Sequence, residues 1–202
     1  MSQTSLKLNF LKNKKWQWLL LLNVVFCILP GYLKAQSSPL KFEYLTAIDG
    51  LSHNKVQCIL QDRQGYIWFG TIYGLNRYDG YTFKIFENIP GDSSSIANNN
   101  IIGLYQDNAG TIWIGTSTTL SSYDPHTETF KNYDLPVLNG WIHSFAEDET
   151  GLLWVATGSG LFSFDKKTMR ATMYKTDDSA RENIHSILKD NNNPKKFNTA
   201  VF

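Results

Sequence analysis

The sequence has little cysteine, no excess of basic charge and no long apolar run beyond its N-terminal segment. Of its two cysteines only Cys58 lies after residue 35, so the remainder of the chain can form no intrachain disulfide. That remainder contains no stretch of about 20 apolar residues, the length that a membrane-spanning helix needs. It carries 14 basic and 18 acidic residues, a net charge of −4 (14 − 18). This balance argues against a nucleic-acid-binding protein.

Residues 1–35 have the pattern of an export signal. Lysines precede an apolar run from Trp16 to Leu29, and Ala35 offers a small residue for cleavage before Gln36. The run is short for a membrane span, which favours a removed signal peptide over an uncleaved signal anchor. The sequence therefore predicts an exported, periplasmic protein. Membrane contact is expected only through an uncleaved anchor or through a downstream part that is absent from this chain.

What the sequence does contain is a ten-residue frame that occurs three times, at residues 62–71, 107–116 and 148–157. Each copy begins with Asp, has Gly three residues later and has Trp six residues later. The Asp side chain can bond its own backbone, and Gly supplies the positive φ of a tight turn. The segment around Trp is β-branched and aromatic, as in a strand buried on both faces. The tryptophans are 45 and 41 residues apart, a period typical of propellers.

Each frame is flanked by further apolar segments, so that one unit contains four short strands. Four strands in about 40–45 residues are the content of one propeller blade. The sequence predicts an all-β fold, with three four-stranded β-propeller blades and a partial fourth blade in residues 56–190. Two places after each Trp stands a small residue, which we expect to leave room for the neighbouring blade: Gly70, Gly115 and Ala156.

Residues 36–55 are predicted to be an N-terminal strand and a lead-in to the first blade. The segment from Phe42 to Leu45 has the pattern of a fourth strand without its first three. Closed propellers often pair such a strand with strands from the far end of the chain, which removes an exposed edge. We therefore expect its partners to lie outside this chain.

The other end departs from the repeat after Asp190. Asn193 and Lys196 stand where Gly and Trp are expected, so residues 191–202 are predicted to be an irregular, off-pattern tail. Three blades and a partial fourth form an incomplete ring, because closed propellers usually have about 4–8 blades. We expect the chain to be the N-terminal piece of a longer protein whose remaining blades are its partners. The alternative is a naturally short chain that completes its ring by self-association.

The composite pattern resembles the two-component regulator propeller repeat, found in the periplasmic sensor region of bacterial hybrid histidine kinases. The first blade matches best, with Gly50-Leu-Ser52, Ile67-Trp-Phe-Gly-Thr71 and Gly74-Leu-Asn-Arg-Tyr-Asp-Gly80. The second blade departs at Thr119 and the third at Ala156. The resemblance covers about residues 40–190. It implies the N-terminal fragment of a ligand-sensing propeller of a hybrid two-component regulator, with an oligosaccharide as ligand and no kinase output of its own.

No set of residues in the sequence predicts an active site. Phosphate-binding glycine loops and nucleophile elbows are absent. His143 and His185 occupy the same repeat position, which favours a structural role, while His53 and His126 fall in loops without a partner at metal-ligand spacing. Other acidic residues fit turns or a solvated cluster: Asp79, Asp124, Asp165 and Glu147-Asp148-Glu149. We therefore predict no enzyme, no catalytic residue, no cofactor and no metal.

Aromatic residues in loops are the candidate ligand contacts, because an aromatic ring can stack on a sugar ring. Tyr73, Tyr81 and Trp141 are of this kind. Trp141 is the preferred candidate, since Lys55 and Asn100 occupy its place in the other blades. Two further functions stay open at this point. One is an exported propeller enzyme such as a polysaccharide lyase, and the other is an extracellular protein-binding scaffold.

Overall fold

A computed structural model describes residues 18, 41–135, 138, 140–174, 183–190 and 197–201. The predicted signal peptide therefore lies outside the described residues, except for Trp18. The chain divides into two units, residues 1–43 and residues 44–202, and every strand belongs to the second unit. Within the described ranges, no helix has both the length and the apolar character that a bilayer crossing requires.

Three antiparallel four-stranded sheets follow one another along the chain, and in each the strands pair in chain order. The first sheet contains β1 (Val56–Gln61), β2 (Ile67–Thr71), β3 (Gly74–Tyr78) and β4 (Phe83–Phe86). The second contains β5 (Ile101–Gln106), β6 (Ile112–Thr116), β7 (Leu120–Asp124) and β8 (Thr129–Tyr133). The third contains β9 (Ile142–Glu147), β10 (Leu153–Thr157), β11 (Gly160–Asp165) and β12 (Arg170–Met173). These sheets confirm the three predicted propeller blades.

The partial fourth blade is a two-stranded sheet of β13 (Ile184–Lys189) and β14 (Phe197–Val201). The prediction of an irregular tail is therefore wrong for residues 197–201, while residues 191–196 lie outside the described ranges. Gln61 pairs with Ile67 in the first blade, whereas Lys189 pairs with Phe197, so the paired residues are two positions further apart in the sequence. Strand β14 therefore pairs with β13 although the Asp–Gly–Trp frame is absent between them.

Residues 41–46 form no strand, which corrects the prediction for Phe42 to Leu45. A short 3-10 helix, Ala47–Asp49, follows and is capped by Thr46, whose backbone N–H donates to the Asp49 carboxylate at 2.8 Å. The lead-in then lies along the first sheet, where Ser52 N–H donates to the Asn76 side chain at 2.8 Å. Pairing of this segment with strands outside this chain stays a prediction.

One carboxylate closes each Asp–Gly turn and also binds the following tryptophan. One oxygen of Asp62 accepts the backbone N–H groups of Gln64 and Tyr66 at 2.9 and 3.0 Å, which confirms the predicted turn. Its other oxygen accepts the indole N–H of Trp68 at 2.7 Å. The second and third blades repeat this bond at 2.9 and 3.0 Å, from Trp113 to Asp107 and from Trp154 to Asp148. The carboxylate thus supplies the partner that a buried indole N–H needs.

Each tryptophan packs between an aromatic residue of its own blade and one of the following blade. Trp68 lies 5.8 Å from the Phe86 ring and 5.1 Å from the Tyr123 ring, measured between centroids. Trp113 repeats the arrangement with Tyr133 at 5.6 Å and Phe164 at 5.5 Å. The apolar core therefore lies between the sheets, and the tryptophans occupy equivalent surroundings in successive blades.

The small residues after the tryptophans sit where the next blade approaches, as the sequence predicted. A Cβ atom built on Gly70 would lie 2.7 Å from Cγ2 of Ile101, and one built on Gly115 would lie 2.5 Å from the backbone oxygen of Ile142. Both isoleucines begin the first strand of the following blade. Only a residue without a side chain fits such a close approach.

Polar contacts also cross from one blade to the next. The backbone N–H of Arg63 donates to the Gln106 side chain at 2.9 Å, and that of Asn108 donates to Glu147 at 2.7 Å. Lys166 adds an ion pair to two buried carboxylates, with Nζ 2.9 Å from Asp107 and 2.5 Å from Glu147. Burial opposes the charge of Lys166, but the two carboxylates raise its pKa above the ordinary value. The second and third blades are therefore joined by a partly buried network.

Candidate functional site

The antiparallel order of strands gives the second unit two different edges. Turns after the first and third strands of each blade lie on one edge, which we call the turn edge and which includes the Asp62, Asp107 and Asp148 turns. The starts of the first strands and the turns after the second strands lie on the opposite edge, which we call the groove edge. Because successive antiparallel strands run in opposite directions, every residue in a turn can be placed on one of these edges.

The candidate residues divide between the two edges. Those on the groove edge are His53, Tyr73, Trp141, His143 and His185. Those on the turn edge are Tyr81, His126, Asp79, Asp124, Asp165 and the Glu147-Asp148-Glu149 cluster. The recurring aspartates accept backbone N–H groups from two residues further along the chain; for example, the N–H of Tyr81 donates to Asp79 Oδ1 at 2.8 Å. Backbone hydrogen bonds lower the pKa of Asp79, so it is an ionised turn residue rather than a general acid.

A β-bulge occurs near the start of every first strand. In β9, Ile142 pairs with Thr157 and Ser144 pairs with the adjacent Ala156, so His143 is an extra residue between them. The same irregularity leaves Gln57, Ile102 and His185 as the extra residues of β1, β5 and β13. A bulge re-aims the side chain that it carries, and bulges are frequent beside functional sites.

These four bulge residues line one groove. The groove has a volume of about 440 Å³ and is lined by Lys55, Val56, Gln57, Ile102, Trp141, His143 and His185. We call it the inner-strand groove, because β1, β5, β9 and β13 contact one another in succession beneath it. Its size lies within the range of small-molecule sites. The bulges thus bring side chains from four blades to a single surface.

The polar groups of the inner-strand groove are held in defined positions. Gln57 Nε2 donates to the Asn100 side chain at 2.6 Å and to the backbone oxygen of Ile101 at 3.0 Å, which joins the first two blades. The imidazole rings of His143 and His185 lie 4.4 Å apart between centroids, at 36° to each other. Burial and the neighbouring His185 lower the pKa of His143, while a hydrogen bond to the Asn183 side chain opposes this shift. His143 is therefore largely neutral near pH 7.

Trp141 forms the aromatic wall of the groove. Its side chain is 55% exposed, and its ring lies 6.2 Å from that of His143. Its backbone oxygen accepts the N–H of Gly158 at 2.9 Å, so the main chain at Trp141 is tied to the turn after β10. An indole fixed at its backbone and open on the side of the groove can stack on a planar or cyclic ligand. Tyr73 instead contacts His53 edge to face at 5.1 Å, outside the groove lining.

The described residues bear on two kinds of reactive site, a side-chain cluster that holds a metal and a nucleophilic thiol. Throughout the described ranges, no three His, Cys, Asp or Glu side chains lie close enough together to hold a metal ion. Cys58, the free cysteine of the described chain, is half-buried, and burial raises the pKa of its thiol to about 12. A thiol with such a pKa is a poor nucleophile.

The sequence singles out Trp141 as a candidate ligand contact, and the structure places it beside His143 and His185, which the sequence did not single out. In the sequence, the equivalent repeat positions of His143 and His185 favour a structural role. The structure confirms that these positions are equivalent, and Gln57 and Ile102 occupy the same position in the first two blades. What the repeat cannot show is that a bulge turns this position toward a groove. The sequence feature that could have indicated the groove is the residue type at this repeat position, which is Gln or Ile in the first two blades and His in the third and fourth.

Comparison with known proteins identifies the repeat. The family model described as "Two component regulator propeller" matches residues 50–73 and 95–118. These residues contain the lead-in, first strand, Asp–Gly turn and Trp strand of the first two blades. A curated relative, histidine kinase P4 from Formosa agariphila, is 50% identical over 74 residues, which are 37% of this chain and 5% of the kinase.

Solved structures with the same fold include two extracellular domains from B. thetaiotaomicron and one lyase. One domain from B. thetaiotaomicron, assigned to a hybrid two-component system, is 28% identical with a TM-score of 0.64 and covers 73% of this chain. Another, assigned to a one-component system of the same organism, has a TM-score of 0.64 at 24% identity over 78% of this chain. This chain spans 22% of each of these domains. Virginiamycin B lyase from Staphylococcus aureus, 17% identical with a TM-score of 0.55 over 68% of this chain and 46% of the lyase, shares the propeller fold alone.

Proposed function

We propose that this chain, whose first two blades match the two-component regulator propeller model, is the N-terminal fragment of the ligand-sensing propeller of a hybrid two-component regulator. The observation that carries the proposal is the 28% identity, over 73% of this chain, to an extracellular domain assigned to a hybrid two-component system. The 50% identity to a histidine kinase over 74 residues supports the same parentage. In this proposal the mature chain acts in the periplasm after removal of residues 1–35.

The proposed ligand is an oligosaccharide. The inner-strand groove combines one exposed indole with amide, imidazole and ammonium groups, and such a mixture suits a ring that has an apolar face and polar substituents. In this proposal ligand binding is passed to a kinase located further along the parent protein, and this fragment has no kinase output of its own.

The direct test is calorimetric titration of the complete ectodomain of the parent with a panel of size-defined glycan oligosaccharides. A sensor gives saturable binding to at least one glycan, and chromatography shows that glycan unchanged after incubation. The proposal fails when no glycan binds. It also fails when the bound glycan is cleaved, because product release identifies an exported propeller enzyme, for which the fold shared with a lyase is the supporting observation.

The parentage is tested by the gene itself, read past codon 202 in all three frames. Further Trp-containing frames, a membrane helix and histidine-kinase motifs are the expected result. An unrelated downstream sequence would instead favour the self-associating short chain. Sedimentation of the 202-residue chain would then show a defined oligomer rather than a monomer.

A further inference from the structure

We propose that the inner-strand groove binds an acidic sugar of the sensed oligosaccharide, that is, a ring carrying a carboxylate or a sulfate. This inference rests on the proposed sensing function and adds the location of the site and the charge of its ligand. Three observations support it: the groove is lined by basic and not by acidic side chains, β-bulges turn the histidines among these side chains toward the groove, and the exposed indole of Trp141 lies beside them.

The groove lining contains basic groups and no acidic ones. Lys55 supplies an ammonium group from the segment before β1, His143 supplies an imidazole from β9, and His185 supplies one from β13. None of the seven lining residues is Asp or Glu, although residues 36–202 as a whole carry more acidic than basic residues. The local charge is therefore opposite in sign to that of the mature chain, as expected where an anion is bound.

The two imidazoles lie together through the architecture of the blades. Each is the extra residue of a bulge, and neighbouring first strands bring the rings to a centroid distance of 4.4 Å. Two protonated imidazoles at this distance repel each other, which is one reason why the pKa of His143 is lowered. An anion placed between them and Lys55 removes that repulsion and accepts charge-assisted hydrogen bonds.

Trp141 completes a site for a sugar rather than for a bare anion. Its ring lies 6.2 Å from His143, so an anionic substituent at the imidazoles leaves the rest of a sugar ring over the indole. Gln57 lines the same groove from β1, and its amide is held by Asn100 and Ile101. The combination of a stacking face and a basic cluster distinguishes an acidic sugar from a neutral sugar and from a free inorganic ion.

The experiment titrates the complete ectodomain with four probes: an oligouronate, a sulfated oligosaccharide, a neutral oligosaccharide of matched length, and inorganic sulfate. One or both acidic oligosaccharides are expected to bind with saturation, and the two probes distinguish carboxylate from sulfate. The neutral oligosaccharide and inorganic sulfate are expected to bind at least about tenfold more weakly, the consequence of losing one good contact. Equal binding of the acidic and neutral oligosaccharides overturns the inference.

Variants place the bound sugar in the groove. Trp141→Ala and Lys55→Gln are each expected to raise the Kd of the acidic oligosaccharide by about tenfold, while the melting temperature stays that of the parent because both side chains are exposed. Matched controls lie on the turn edge, where Tyr81→Ala and Lys167→Gln change the same kinds of exposed group. Controls that weaken binding as much as the groove variants overturn the inference.

The pH dependence gives an independent readout. Lys55, His143 and His185 are the charged or titratable groups that line the groove, and β5 contributes only the apolar Ile102. Because a bound anion favours the protonated imidazole of His143, affinity should rise as the pH falls from 7.5 to 5.5, and His143→Gln should reduce that rise. Affinity that is independent of pH in the parent contradicts the assignment of the anion to the histidines.

These outcomes separate the inference from the proposed function. Binding of a glycan that is insensitive to Trp141→Ala and Lys55→Gln leaves the sensor proposal standing and removes the groove from it. Failure of both acidic probes overturns the inference, whereas the sensor proposal fails only when the wider glycan panel also shows no binding.

Discussion

The turn edge and the groove edge are formed by the same strands but use their repeated positions differently. On the turn edge, three aspartates close three turns and bind three tryptophans at 2.7, 2.9 and 3.0 Å. On the groove edge, four bulges repeat with equal regularity, but the residues they carry are Gln57, Ile102, His143 and His185. The first edge repeats both geometry and chemistry, whereas the second repeats only the geometry. Positions of the second kind can recognise a ligand without disturbing the stacking of blades.

The largest stability effect is expected for Lys166→Met on the turn edge. The change leaves Asp107 and Glu147, whose side chains are only 2% and 4% exposed, without their cation. Loss of one partner of a buried ion pair costs about 3–5 kcal/mol. Urea denaturation of the full chain measures the free energy of unfolding.

The neighbouring Lys167→Met is the matched control for this prediction, because the Lys167 side chain is exposed. Its unfolding midpoint should stay at that of the parent. Equal midpoints for the two variants would show that the Lys166 ion pair contributes nothing to the joint between the second and third blades.

Asp62→Ala should have the next largest effect. It removes the acceptor of the buried Trp68 indole N–H and of two backbone N–H groups of the turn. A buried donor left unsatisfied costs about 1–3 kcal/mol. The same denaturation measurement applies, with Asp79→Ala as control, since that aspartate is exposed and bonds only within its own turn. A larger loss in the control would contradict the role given to the Asp–Trp bond.

Gly115→Ala tests the close approach of blades. Its Cβ would lie 2.5 Å from a backbone oxygen, that of Ile142, which cannot move without moving β9. Overpacking of this kind costs about 1–3 kcal/mol. Gly70→Ala should cost less, because its nearest neighbours are the side chains of Cys58 and Ile101, which can rotate. The reverse order of melting temperatures would show that the backbone contact is not the limiting one.

The smallest effect is expected from His143 and depends on pH. Burial and His185 lower its folded-state pKa, so the unfolded chain binds a proton first as the pH falls. The stabilisation that comes from neutral His143 is therefore fully present above the unfolded-state pKa of about 6.5, and it decreases as the pH falls below that value. His143→Gln should flatten the dependence of melting temperature on pH between 7.5 and 5.5. His126→Gln, in a turn-edge loop, should leave that dependence unchanged, and a flattening by both variants would contradict the assignment.

The sequence predicted the blades well because their signals are local. Asp and Gly fix a turn within four residues, and the apolar segments around Trp68, Trp113 and Trp154 fix a strand directly after it. Gly70 and Gly115 were identifiable as contact points because a glycine inside a buried strand often marks the close approach of another backbone. Each of these inferences needed only the residues of one blade.

The features that the sequence did not predict depend on contacts between strands or between blades. The bulges at His143 and His185 leave no trace in the hydrophobic pattern, because the extra residue faces the groove and can be polar or apolar. Strand β14 pairs with β13 although its sequence lacks the repeated Asp, Gly and Trp. The strand predicted for Phe42 to Leu45 has the right composition but no partner strand among the described residues, and composition alone does not make a strand.

The size of the residue that follows each tryptophan by two places governs how near the next sheet can come at its first strand. Gly70, Gly115 and Ala156 occupy that position in three blades, and Ala200 occupies it in the fourth, opposite Ser186. An added methyl group there meets the first strand of the next sheet, as the Cβ positions at Gly70 and Gly115 show, so we expect it to change the angle between the two sheets. Since a ring closes only when its successive angles add up to a full circle, we expect exchanges of glycine and alanine at this position to affect how many blades a circle can contain.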